Sequence, residues 1–79
     1  MRYYLHLREP DLRTEDHQGS EFPNLLTARK EAIWAIRSLL SEEIKTSGKC
    51  RLHGRWIDIC DEIGTLRDAV EFADAVSLA

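Results

Sequence analysis

NLLTARKEAIWAIRSLLSEEIKTSG, residues 24–48, reads as one long amphipathic helix, and the fold is worked outward from it. At about 100° per residue, Leu25, Ala28, Ala32, Ile36, Leu39 and Leu40 fall on one side, with Ile33 and Ile44 at its edge. That stripe is the expected core face. Lys30, Glu31, Arg37, Ser38, Ser41, Glu42 and Lys45 fall opposite, and Trp34 stands among them, a large indole on the polar face. Ala28 and Ala32, four residues apart, leave little side chain between helix and support, so a close approach to a sheet is expected there. Pro23-Asn24 marks the start, because the Asn side-chain oxygen can accept an unpaired N–H of the first turn. Ser47-Gly48 marks the end, since glycine suits the left-handed residue after the last turn.

Arg2 to Arg8 alternates as a strand does, with Tyr3, Leu5 and Leu7 toward the helix and Tyr4, His6 and Arg8 away from it. Glu9 to Glu21 is polar and broken by Pro10, Asp11 and Gly19, which predicts a loop with a short edge strand near Gln18–Phe22. Arg55 to Asp61 is a second strand, Ile57 and Ile59 facing one way and Trp56, Asp58 and Cys60 the other. Asp61-Glu62-Ile63-Gly64 has the chemistry of a type I turn closed by a positive-φ glycine. Thr65 to Phe72 returns as a third strand with Leu66, Val70 and Phe72 on one face. Val76 or Leu78 then pins the tail to the domain edge. The expected fold is α+β: strand, helix, strand, strand, with one long helix on a three-stranded antiparallel sheet. A right-handed crossover would leave a gap for the hairpin's return strand, giving the order 1-3-2.

At 79 residues the chain has room for one domain, 1–79, of one helix layer on one sheet layer. With 43% hydrophobic and 32% charged residues the composition is globular. A net charge of −3 argues against non-specific attraction to phosphate backbones, so a nucleic-acid partner is not expected. No apolar run approaches a membrane span of roughly 18 to 20 residues, and no apolar leader opens the sequence. With Cys50 and Cys60 the sole cysteines, a cytoplasmic protein with reduced thiols is the expectation.

Tyr3-Tyr4-Leu5-His6-Leu7-Arg8 after Arg2, then Gly19, Glu21 and Pro23, Ala28-Arg29, Glu31-Ala32, Asp61-Glu62 before Gly64, and Phe72 before Asp74-Ala75-Val76 follow one another in an order that resembles an uncharacterised family of short bacterial proteins, a domain of unknown function. The likeness spans nearly the whole chain. It implies the same fold and a cytoplasmic setting, and brings no activity with it. Arg67 and Asp68 stand where that family carries a more aliphatic third strand.

Cys50 and His53 have the separation of half a metal site, but a structural zinc needs a second close pair, and the sequence offers none. No nucleophile elbow, phosphate-cradling loop or paired-carboxylate motif occurs. No catalytic residue, metal or cofactor is therefore expected. Two surfaces remain. Tyr4, His6 and Trp56 would line the sheet face the helix leaves uncovered, bordered by Arg8, Arg55 and Arg67. Aromatic residues on a sheet can stack unpaired bases, but affinity for nucleic acid depends first on positive charge, so cross-strand packing or burial against a second copy is favoured. Trp34 is the other candidate, as an exposed tryptophan of the kind that anchors interfaces. The sequence thus points to a non-enzymatic module for protein–protein interaction or self-association, with a protein partner or a homodimer through Trp34, Tyr4, His6 or Trp56. The alternative is antitoxin-like. A strand, a polar loop, a proline and an alanine-rich helix resemble the folded part of antitoxins that neutralise small RNA-cleaving toxins, although the proline-aspartate-leucine-proline-glycine turn of that group is missing.

Overall fold

The polar stretch after the first strand is what turns the chain around. The computed structural model describes residues 1–77; Leu78, one of the two tail residues expected to pin the edge, lies outside them. Among the described residues run β1 (Arg2–Arg8), β2 (Arg13–Thr14), β3 (Ser20–Glu21), α1 (Leu25–Ser47), β4 (Trp56–Cys60), β5 (Leu66–Glu71) and α2 (Phe72–Ser77). The fold is α+β, with the long helix packed on an antiparallel sheet of five strands rather than three.

The strand order differs from the expected 1-3-2. β4 lies between β1 and β5, and the order runs β2-β1-β4-β5, with β3 also on β1. The reason is the direction of the helix. β2 pairs Leu7 with Thr14, and β3 pairs Tyr3 with Ser20 and Arg2 with Glu21, so residues 9–21 carry the chain back along the outer edge of β1 to its start. The helix then rises alongside β1 instead of returning from it. The chain therefore comes down in β4, whose Trp56 begins opposite Arg8. Antiparallel neighbours need no gap between them, and the hairpin's return strand goes to the outside.

Both helix ends are closed by the residues expected to close them. The Asn24 side chain accepts the Thr27 N–H at 2.9 Å, and Gly48, at φ 75°, donates its N–H to the Ile44 carbonyl. Asn24→Ala is expected to cost about 1 kcal/mol and Asn24→Ser much less, as read by urea unfolding. Ala28, Ala32, Ile36 and Leu40 are buried against Tyr3, Ile57, Ile59, Val70 and Phe72. Ile36 is 0% exposed while Trp34 is 68% exposed, so the helix faces as its periodicity indicates.

The hairpin turn also forms as expected. Asp61 Oδ1 accepts the Ile63 and Thr65 N–H groups, and Gly64 sits at φ 86°. Burial pushes the Asp61 carboxyl up, but those backbone donors and Arg67 outweigh it and hold its pKa below the ordinary carboxylate value. Two details of β5 differ. Cys60 pairs with Leu66 but Ile59 with Asp68, so Arg67 is an extra residue on β5. An extra residue reverses the side-chain alternation beyond it. Leu66 therefore lies across from Cys60 on the far face, 57% exposed, rather than beside Val70. The strand also ends at Glu71, one residue early: Phe72 donates its N–H to the Arg55 carbonyl and opens α2. α2 packs on α1 through buried Ala75, whose carbonyl accepts the Arg37 Nε–H at 3.0 Å, and Val76 stays exposed.

Asp68 secures the β5 edge. Its carboxylate accepts Arg29 Nη1 from α1 at 2.9 Å and, through the other oxygen, the Ala69 N–H at 2.8 Å. Since Phe72 bonds inward to Arg55, alternation turns the Ala69 N–H outward, where it would otherwise template a further strand.

Candidate functional site

The antiparallel register of β1 and β4 sets Tyr4 beside Cys60, His6 beside Asp58 and Arg8 beside Trp56, so the far face of the sheet collects the expected side chains. The Tyr4 and His6 rings stack with centroids 6.4 Å apart and planes 11° apart, and the Arg8 guanidinium lies 5.1 Å from the Trp56 ring centroid. Arg8 donates Nε–H and Nη2–H to the two Asp58 oxygens at 2.9 and 3.0 Å, which raises its pKa further above the ordinary value. Arg13 adds Nη1–H to Asp58 at 3.4 Å and Nε–H to Glu15 at 2.9 Å.

The far face is not the open platform expected from the lack of a second helix. His6 is buried, and Tyr4 and Trp56 are half-buried. What covers it is the loop after β2, drawn in by Asp16 and Gly19. Asp16 Oδ2 accepts the Leu5 N–H at 3.2 Å in the gap between β2 and β3, while Oδ1 accepts the Gly19 and Gln18 N–H groups at 3.0 and 3.3 Å. Burial pushes the Asp16 carboxyl up, but these N–H donors and His6 more than offset it and leave its pKa low. A Cβ on Gly19 would stand 2.9 Å from the Tyr3 carbonyl oxygen and 2.9 Å from the Tyr4 ring, and its φ of 66° favours glycine independently. Asp-x-x-Gly is a local turn signal, and that spacing could have found the hub in the sequence. Burial also pushes the Cys60 thiol up, away from the thiolate that nucleophilic chemistry needs.

Arg55 corrects another expectation. Rather than bordering the far face, it turns under the C-terminal end of α1. There its guanidinium lies 4.4 Å from the Phe72 ring centroid and donates to both Glu43 oxygens, at 2.8 and 2.6 Å. Glu9 Oε2 lies 3.1 Å from Arg55 Nε at an angle that makes an ion pair but not a hydrogen bond. Arg67 is paired with Asp61 at 3.4 Å. Cys50 and His53 are exposed, and among the described residues no group of three or more His, Cys, Asp or Glu could hold a metal ion.

The outer face of α1 is different in kind. Trp34, Arg37, Ser38, Ser41, Glu42 and Lys45 line a shallow hollow of about 370 Å³. Beside it, Leu40, Ile44 and Val76 line an apolar groove with Arg37 and Ser41, of about 340 Å³. Arg37, Glu42 and Lys45 make no ion pair among the described residues, whereas Arg2, Arg8, Arg13, Arg29, Arg51, Arg55 and Arg67 all do.

A family model described as a domain of unknown function, DUF6894, matches residues 2–74. The chain belongs to that family. No curated protein and no solved structure matches it. The matched span holds the far sheet face, the Arg55 cluster and the whole of α1; of the groove-lining residues, only Val76 falls beyond it. Among the described residues no helix is long and apolar enough to cross a membrane.

Proposed function

We propose that the chain is a non-enzymatic docking domain that offers the outer face of α1, centred on Trp34, to a protein partner or to a second copy of itself. The observation that carries this is the 68% exposure of Trp34 in the middle of a helix whose opposite face is fully engaged. In the adjoining groove Ile44 and Val76 are also exposed, and Arg37, Glu42 and Lys45 have no ion pair among the described residues to lose on docking. An exposed tryptophan in a hollow that adjoins an apolar groove, with Arg37 lining both, is the composition from which interface anchors are drawn.

The far sheet face supports the same reading by contrast. Arg8 and Arg13 are held by Asp58 and Glu15, which leaves them poorly placed to meet phosphates. Its acid and base groups are tied to one another rather than turned toward a cleft. Two free thiols, one exposed and one buried, suit a reducing cytoplasmic setting.

The test compares wild type with Trp34→Ala. Removing an exposed side chain should leave the unfolding free energy within about 0.5 kcal/mol. Association should fall about tenfold or more, whether measured as self-association by sedimentation or as capture of a partner from native lysate identified by mass spectrometry. Identical sedimentation and an identical captured set for the two proteins would overturn the proposal.

A further inference from the structure

We infer that His6 is a proton-operated latch on the loop after β2: the neutral ring holds the Asp16 backbone, and the protonated ring releases it and turns to Glu15. Two groups compete for one nitrogen. His6 Nδ1 accepts the Asp16 backbone N–H at 3.0 Å, which requires a bare lone pair and so places the ring proton on Nε2. The Glu15 carboxylate oxygen Oε2 lies 3.4 Å from the same Nδ1 and can be bonded only when that nitrogen carries a proton. A single nitrogen cannot serve both. Protonation sets Nδ1–H against Asp16 N–H, two donors facing each other, and separates them, while it turns the Glu15 contact into a charge-assisted bond.

The charges around the ring bear on both states. From the loop come Glu15 and Asp16, from β4 comes Asp58, and from β1 and β2 come Arg8 and Arg13. Both arginines are bonded to Asp58, and Arg13 also holds Glu15, so Glu15 is shared between Arg13 and the imidazole. Tyr4 stacks on the ring without charge, and the buried Cys60 thiol stays protonated. The released backbone belongs to the residue whose carboxylate joins Leu5 to Gly19, so the latch acts at the point where the loop is fastened to β1. Its release uncovers Tyr4, against whose ring Gly19 packs.

The test is nitrogen and amide NMR on the full ¹⁵N-labelled chain between about pH 5 and 8. At the upper end the His6 nitrogen shifts should report the Nε2–H tautomer. The hydrogen-exchange protection factor of the Asp16 amide should fall about tenfold or more as the ring titrates, with the same midpoint. Glu15→Gln should move that midpoint to lower pH, because the protonated ring loses its charged acceptor. In His6→Gln, whose Oε1 can accept without titrating, Asp16 protection should stay flat over the range. An Asp16 amide whose protection ignores the state of His6, or a midpoint that Glu15→Gln leaves in place, would overturn the latch. Glu15→Gln changes an exposed residue, so its result stands even if His6→Gln fails to fold.

Discussion

Arg55→Ala is expected to lower the unfolding free energy by about 3 kcal/mol, and the midpoint of thermal unfolding by roughly 15 °C for a domain of this size. The side chain is 6% exposed, yet it carries a charge, and the fold has met that charge from three sides. Glu43 on α1 takes both terminal nitrogens, Glu9 stands against Nε, and Phe72 lies under the guanidinium plane. Removing the arginine leaves Glu43 and Glu9 partly buried beside each other with only the exposed Arg51, 3.6 Å from Glu9, as a counter-charge, and a lost partner costs more than the pair is worth. It also loosens the end of α1 from the turn before β4, which Arg55 ties through the Arg51 carbonyl at 3.1 Å. Glu43→Gln in the Arg55→Ala background should recover part of the loss, because it removes the stranded charge. Strict additivity of the two substitutions in urea unfolding would show that the two residues do not act as a pair.

The same pair gives stability a pH dependence with a definite sign. The Arg55 hydrogen bond holds the Glu43 carboxyl below its ordinary value. A carboxyl depressed in the folded state contributes fully above its unfolded pKa, and the contribution is lost as pH falls through the folded one. The difference between wild type and Arg55→Ala should therefore shrink as pH falls below the ordinary carboxylate range. A difference that grew in acid would contradict the pairing.

What the sequence discloses and what it hides divide along a physical line. The facing and both caps of α1 are legible because they depend on a 3.6-residue period and on bonds made within one turn, by the Asn24 side chain at the start and by the backbone N–H of the left-handed Gly48 at the end. The Asp61–Gly64 turn is legible for the same reason. The strand order is not, because it depends on where the chain stands when the helix begins. That is set by β2 and β3, each of two residues, too short for any alternation to register. Arg55 could have been placed correctly: it shares parity with Ile57 and Ile59, and that outweighs the habit of putting charge on the open face. Leu66 could not, since the bulge that turns it outward is made by the pairing of two strands and leaves no local mark. Trp34 is visible as an indole among charges, whereas the hub that closes the far face is marked in the polar loop only by the Asp16–Gly19 spacing, and its bond to the distant Leu5 leaves no local mark.

Asp16→Ala is the second substitution with a large expected effect, about 2.5 kcal/mol, and its companion Asp16→Asn decides the reason. Both carboxylate oxygens accept from backbone N–H groups, Oδ2 from Leu5 and Oδ1 from Gly19 and Gln18. An asparagine has one oxygen and one NH₂, so in either orientation it sets a donor against a donor on one side. Asparagine should therefore be nearly as damaging as alanine despite its matching shape, and a wild-type midpoint for Asp16→Asn would refute the bridge. The Leu5 N–H lies on the outer edge of β1 between the two short strands, and among the described residues Asp16 is the side chain that bonds it. Because the depressed Asp16 carboxyl follows the same sign as Glu43, the gap between wild type and Asp16→Ala should also close in acid. Trp34 stands on the other layer of the fold, so a docking partner should bind Asp16→Ala as it binds wild type wherever the variant is folded. Partner binding lost in step with Asp16 rather than Trp34 would move the docking surface to the far side of the sheet.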